Sequence, residues 1–180
     1  VEESYAHWIV YRYADVLLIK AEAVAMLNRE GIPTCLIRTG TNHCDFLTDA
    51  GSWIKPHVRE LGFVERSQMP DVLALADIFV QPGRPDRFNE YRFPSKLPEF
   101  LAMGKPVILP NSNLGAALLH EQQALVFDHV DGVQITDAVK QLCQDQTLYS
   151  RLSAGALEFA QTQLSWPRQA ARLLEFYRSA

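Results

Sequence analysis

Short apolar runs alternate with stretches of helical periodicity along almost the whole chain, and that alternation is the tightest constraint on its fold. "HWIVYR" (7–12), "TCLIRTG" (34–40), "DIFVQP" (77–82), "PVILP" (106–110) and "ALVFD" (124–128) read as strands, and "LGFVER" (61–66) as a short strand turning at Gly62. From Asp15 to Glu30, apolar residues at Leu17, Leu18, Ala21, Val24, Ala25 and Leu27 mark a helix that Gly31 and Pro33 close. "AGSWIKPHVREL" (50–61) predicts a further helix, started or kinked at Pro56. Ser67 is placed to cap a helix through "MPDVLALA", with Pro70 in its first turn. Asp131 to Ala180 reads as two or three helices, with a break near "LSWPRQ" where Pro167 opens the last. This order predicts an α/β domain, a parallel sheet with helices on both faces. Ligands of such sheets bind beyond the carboxyl ends of the strands. The loops at 12–14, 38–42, 64–67, 82–95 and 110–115 are therefore where function is expected.

The bulk properties narrow the partners. The 180 residues suffice for one domain with a real core, or for two very small ones. A net charge of −4 offers no general attraction to nucleic acid or anionic membrane, so an anionic ligand must be held by a local site. Three cysteines, Cys35, Cys44 and Cys143, are too few and too odd for a disulfide framework and fit a reducing compartment. The best membrane candidate, "VLLIKAEAVAML", is interrupted by Lys20 and Glu22. The first residue is Val, and we expect a piece of a longer protein.

"FPSKLPEFLAMGKPVILP" (93–110) is bracketed at both ends. Ser95 is a good N-cap, Pro98 falls in the first turn where a missing N–H costs little, and Gly104 with Pro106 stops the helix before the strand. The loop before it, "PGRPDRFNEYRFPS", carries Arg84, Arg87 and Arg92. Free backbone donors, the helix dipole and nearby Arg and Lys together make an anion site. Lys96 on the first turn is placed to meet a phosphate, and Glu99 lies one turn on along about the same face. A carboxylate there can accept two hydrogen bonds from a cis-diol, as acidic residues do for ribose. Diphosphate and ribose together describe a nucleoside diphosphate.

The stretch "FPSKLPEFLAMGKPVI" resembles the signature of the C-terminal half of GT-B glycosyltransferases of the large retaining group 1 family. "LGFVERSQMPDVLALADIFVQP", "NLGAALLHEQQALVFD", "AVKQLCQDQTLYSRLSAGALEFA" and "LSWPRQAARLLEFY" are similar to further segments of that family, in order. The resemblance covers about Leu61 to Tyr177 and is looser before it. It implies a Rossmann-like three-layer domain spanning 1–180, half of a GT-B fold whose N-terminal acceptor domain is absent. Glu99 matches the second glutamate of the family's pair, which holds the donor ribose. Lys96 matches a lysine that contacts the diphosphate together with Arg92, behind the Ser95 turn. Gly62, Phe63 and Val64 match the segment lining the base. The family's first glutamate falls at Tyr91, with Glu90 one place off, so both are candidates toward the sugar. The Gly-Arg-Leu…Lys-Gly loop of the family is missing, and only Arg12 and Lys20 stand in that region, at the wrong spacing. Of these two, Arg12 is the candidate for the donor.

The implied reaction is transfer of a sugar from a nucleoside-diphosphate donor to an acceptor hydroxyl, with retention. The catalytic candidates are Lys96 and Arg92. No Asp-x-Asp occurs, which agrees with metal-independent chemistry, so neither metal nor cofactor is expected. The implied partners are the donor, the missing N-terminal domain and an acceptor sugar, lipid or other hydroxyl; no nucleic acid is expected. The location implied is cytoplasmic, with peripheral contact at the inner membrane face as a family habit. A non-catalytic nucleotide-binding module and a sugar-nucleotide epimerase on the same fold stay open. His43 beside Cys44 lacks a second pair at zinc spacing. His57, His120 and Glu121 read as surface residues, Arg84 and Arg87 as solvated loop charges, and Trp166 as a packing anchor for the last helix.

Overall fold

A computed structural model describes residues 20, 22–39, 55–81, 83, 87–91 and 93–179. In chain order these form helix α1 (Lys20 and 22–29), strand β1 (Leu36–Arg38), a 3-10 turn (Lys55–His57) and β2 (Val58–Glu60). Helix α2 (Met69–Ala74), β3 (Phe79–Val80), α3 (Arg87–Tyr91), α4 (Leu97–Ala102) and β4 (Val107–Pro110) follow. A second 3-10 turn (Asn113–Ala117), β5 (Leu125–Phe127) and the helices α5 (Gly132–Gln144), α6 (Gln146–Gln163) and α7 (Trp166–Ser179) complete the chain. Among the described residues the named strands pair in parallel: β1 with β2 in one sheet, β3-β4-β5 in the other. The predicted strand at 7–12 and the start of the first helix lie outside the described residues.

β4 shows why the sheet is covered twice. All four of its residues are buried, and strand side chains alternate between faces. Ile108 points into a core with Leu125, Ala23 and Leu27 of α1, and Ile135, Ala138 and Leu142 of α5. Val107 and Leu109 point into the other core, with Phe79, Leu97 and Leu101 of α4, and Ala156 and Phe159 of α6. Phe79 and Phe100 stack with ring centroids 4.4 Å apart, fixing α4 against β3. On the opposite face, Lys140 of α5 pairs with Glu30 at the end of α1. Gly132, first in α5, lies so close to α1 that a Cβ there would stand 2.8 Å from Glu22 Oε2.

Several expectations are corrected. Val58, Arg59 and Glu60 are a strand, not the end of a helix, paired in register with Leu36, Ile37 and Arg38. The Arg38–Glu60 ion pair at 2.8 Å adds to that pairing, and tertiary pairing outweighs local propensity. The expected strand at 61–66 is consequently loop, entered at Gly62 with φ +65°. Neither predicted serine cap forms: Gln68 is the N-cap of α2 and Lys96 that of α4, each helical in φ and ψ with no side-chain cap bond. The long loop before α4 contains the short helix α3. Trp166 is 86% exposed, and α7 has no buried residue. The Pro98 and Gly104 expectations hold: the proline is in the first turn of α4, and Gly104 takes φ +63° just beyond it.

Candidate functional site

The parallel strands β3, β4 and β5 bring their carboxyl ends to one edge, and the loops leaving that edge are joined by backbone bonds. Gln81 N–H donates to Ile108 O at 2.8 Å, and Val130 N–H to Gly83 O at 3.1 Å. Beyond β4, Asn111 N–H donates to Phe127 O at 2.7 Å. Asn113, at φ 51°, turns the chain and donates from Nδ2 to the Glu90 carbonyl at 2.7 Å, tying the end of α3 to the second 3-10 turn. Gly115 closes that turn against the strand: a Cβ there would lie 2.2 Å from the Pro110 carbonyl oxygen.

The described predicted residues lie in the loop after β2, at the end of α3 and at the start of α4. Lys96 and Glu99 are both exposed, Lys96 at the N-cap of α4 and Glu99 in its first turn. Among the described residues neither side chain makes an ion pair or hydrogen bond, so the ordinary surface-pair reading of the two is not what the fold uses. Ser95 is exposed in the turn before them. Glu90 and Tyr91 end α3, Tyr91 being 84% exposed. Gly62 and Phe63 are exposed and Val64 half-buried in the loop after β2, with Phe63 at 68%. Arg12, Arg92, Arg84, His43 and Cys44 lie outside the described residues. Arg87 is exposed, His120 accepts the Val126 N–H on Nδ1 at 3.1 Å, and Cys35 and Cys143 are free and exposed. A cavity of about 640 Å³ lies elsewhere, between the second 3-10 turn, α6 and α7, lined by Leu114, Ala117, Phe159, Leu164 and Arg172 and by none of the predicted residues.

One basic residue that the spacing had set aside is perturbed by its surroundings. Lys20 is half-buried in α1, and burial, then the Lys96 charge, lowers its ammonium to about 8. No local periodicity distinguishes a lysine that faces solvent from one buried against the tertiary structure, so the signal was not available locally.

The model of the family described as "Glycosyl transferases group 1" matches residues 10–145. The chain belongs to the group 1 glycosyl transferases. The GDP-mannose-dependent alpha-(1-6)-phosphatidylinositol monomannoside mannosyltransferase of Mycobacterium tuberculosis is 31% identical over 129 residues, 69% of this chain and 33% of that protein. The crystal structure of HepE from Anabaena, in complex with UDP, superposes with a TM-score of 0.72 at 15% identity, over 92% of this chain and 46% of that one. The C-terminal domain of the group 1 glycosyl transferase LpcC from Francisella tularensis gives a TM-score of 0.66 at 16% identity, over 81% of this chain and 77% of that domain. The fold is thus the Rossmann-like α/β fold found in GT-B glycosyltransferases, and this group 1 chain spans less than half of the full-length proteins it matches. Among the described residues no helix is long and apolar enough to cross a membrane.

Proposed function

We propose that this chain is the donor-binding half of a glycosyltransferase, binding a nucleoside-diphosphate sugar whose sugar passes to an acceptor hydroxyl, without metal and with retention. The observation that carries the reading is the arrangement of Lys96 and Glu99 one turn apart at the carboxyl edge of a group 1 chain, each exposed and, among the described residues, unpaired. Lys96, with Arg92, neutralises the charge that develops on the departing diphosphate. Glu99 accepts hydrogen bonds from the ribose hydroxyls, and the Gly62–Val64 loop lies against the base. Glu90 and Tyr91 face the sugar, and Arg12 belongs to the same donor subsite. The UDP complex of HepE and the donor named for the mycobacterial relative support a nucleoside diphosphate. The acceptor is bound by a domain outside this chain, at a membrane face when the acceptor is a lipid.

Calorimetric titration with UDP, GDP and ADP tests this. One nucleotide binds above the others, and Lys96→Ala and Glu99→Ala each weaken it roughly 10- to 100-fold, the worth of a hydrogen bond to a charged group. No binding by this chain or by a longer protein containing it overturns the reading. Tyr91 in place of a glutamate favours, as a second reading, a module that binds nucleotide without transfer. Donor turnover by the longer protein, abolished by Glu99→Ala, decides for the enzyme.

A further inference from the structure

The long loop between β3 and α4 is pinned to the exits of the two neighbouring strands. Gly83, just beyond β3, forms an antiparallel bridge with Val130, just beyond β5, and so takes the loop over the end of the central strand β4. Asn113, just beyond β4, meets the same loop further on, at the Glu90 carbonyl near the end of α3. The 5 residues of α3 make too short a helix to hold its own place. Of its described side chains, Arg87, Glu90 and Tyr91 are all exposed, so none of these anchors it by burial. Among the described residues, the 2.7 Å bond from Asn113 Nδ2 is the one hydrogen bond between α3 and another element. It reaches a carbonyl of the kind that a helix end leaves without a partner. The amide of Asn113 is fixed from its other side as well: Oδ1 accepts the Leu114 N–H at 2.8 Å, so a donor and an acceptor partner together allow it one orientation. Its φ of 51° suits asparagine, and the turn beneath it is tied down by the Asn111 N–H on Phe127 O and the Ser112 N–H on Pro110 O. A fixed turn gives the hydrogen bond, and a weakly held helix receives it.

We propose that Asn113 is a positioning residue for the sugar end of the donor, acting through α3: it holds Glu90 and Tyr91 in place; the proposal rests on the donor-site reading above. The nucleotide end does not depend on it. α4, which carries Lys96 and Glu99, is seated by its own buried Leu97 and Leu101. Loss of the Asn113 bond therefore loosens the grip on the sugar and leaves the grip on the nucleoside diphosphate.

The test has an arm without ligand and an arm with it, and uses two variants. Asn113→Asp keeps the acceptor for Leu114 N–H and turns the donor into a carboxylate oxygen, while Asn113→Gly keeps the left-handed turn and removes the side chain. Backbone ¹⁵N relaxation should give residues 87–91 order parameters near those of α4, about 0.85, in the parent and below about 0.6 in both variants, with α4 unchanged. Equal order of 87–91 in parent and variants overturns the proposal. Calorimetry then compares UDP with UDP-glucose and GDP with GDP-mannose. For the pair that the parent binds, both variants should leave the nucleoside diphosphate within about twofold and weaken the sugar nucleotide roughly 10-fold. Equal weakening of the two ligands would mean a general structural loss, and weakening by Asn113→Asp alone would mean charge repulsion; either overturns the proposal. If the variants weaken neither ligand while Lys96→Ala weakens both, the proposal fails and the donor site stands. If the parent binds neither UDP nor GDP nor their sugar forms, both fail together.

Discussion

A methyl group on Gly115 would stand 2.2 Å from the Pro110 carbonyl oxygen, and one on Gly155 would stand 2.0 Å from the Gln122 carbonyl oxygen. Neither obstacle is a flexible side chain, so backbone must shift. We expect Gly115→Ala and Gly155→Ala each to destabilise by about 2–4 kcal/mol in urea unfolding, Gly115→Ala also weakening donor binding because it disturbs the turn beside α3. Lys20 gives a pH prediction of definite sign. Its pKa is about 8 folded and higher unfolded, so between the two values the unfolded chain holds more protons and stability rises with pH. Below about 8 both states are charged and the penalty is fully present. Lys20→Met should therefore raise Tm at neutral pH and flatten the rise that the parent shows above pH 8.

Helix starts separate what a serine suggests from what a helix uses. Asp131 and Asp145 accept hydrogen bonds from N–H groups of α5 and α6, at 3.0 Å to Val133 and Gln134 and at 2.9 Å to Leu148. Replacing either by alanine should cost about 1 kcal/mol in denaturant unfolding. Ser95→Ala should leave stability within about 0.5 kcal/mol, because the Ser95 hydroxyl caps nothing and Lys96 holds the N-cap position of α4. Lower loss of stability with measurable loss of donor affinity at Ser95 would mark it as a ligand contact. β2 carries the same lesson for strands. Val58 to Glu60 follow a proline turn in a stretch of helical aspect, and their strand conformation comes from Leu36–Arg38 alongside.

Over the whole molecule, the two cores lie against the β3-β4-β5 sheet, and α7 adds no buried residue to either. Removing 166–180 should therefore shift Tm by only about 2–4 °C while taking one helix from the circular dichroism, since little apolar burial is lost. A collapse of the transition would mean that α7 carries stability through the groove at Phe159 and Leu164.

The α/β alternation, the buried PVILP strand, the proline and glycine bounds of α4 and the placement of Lys96 and Glu99 at a carboxyl edge were all legible in the sequence. Each depends on periodicities and turn residues that act over a few positions. The partner of β2, the exposure of Trp166, the missing serine caps and the burial of Lys20 were not. Those were decided by the tertiary structure, because parallel pairing and the packing of helices on a sheet join residues tens of positions apart, whose shared surroundings no local pattern encodes.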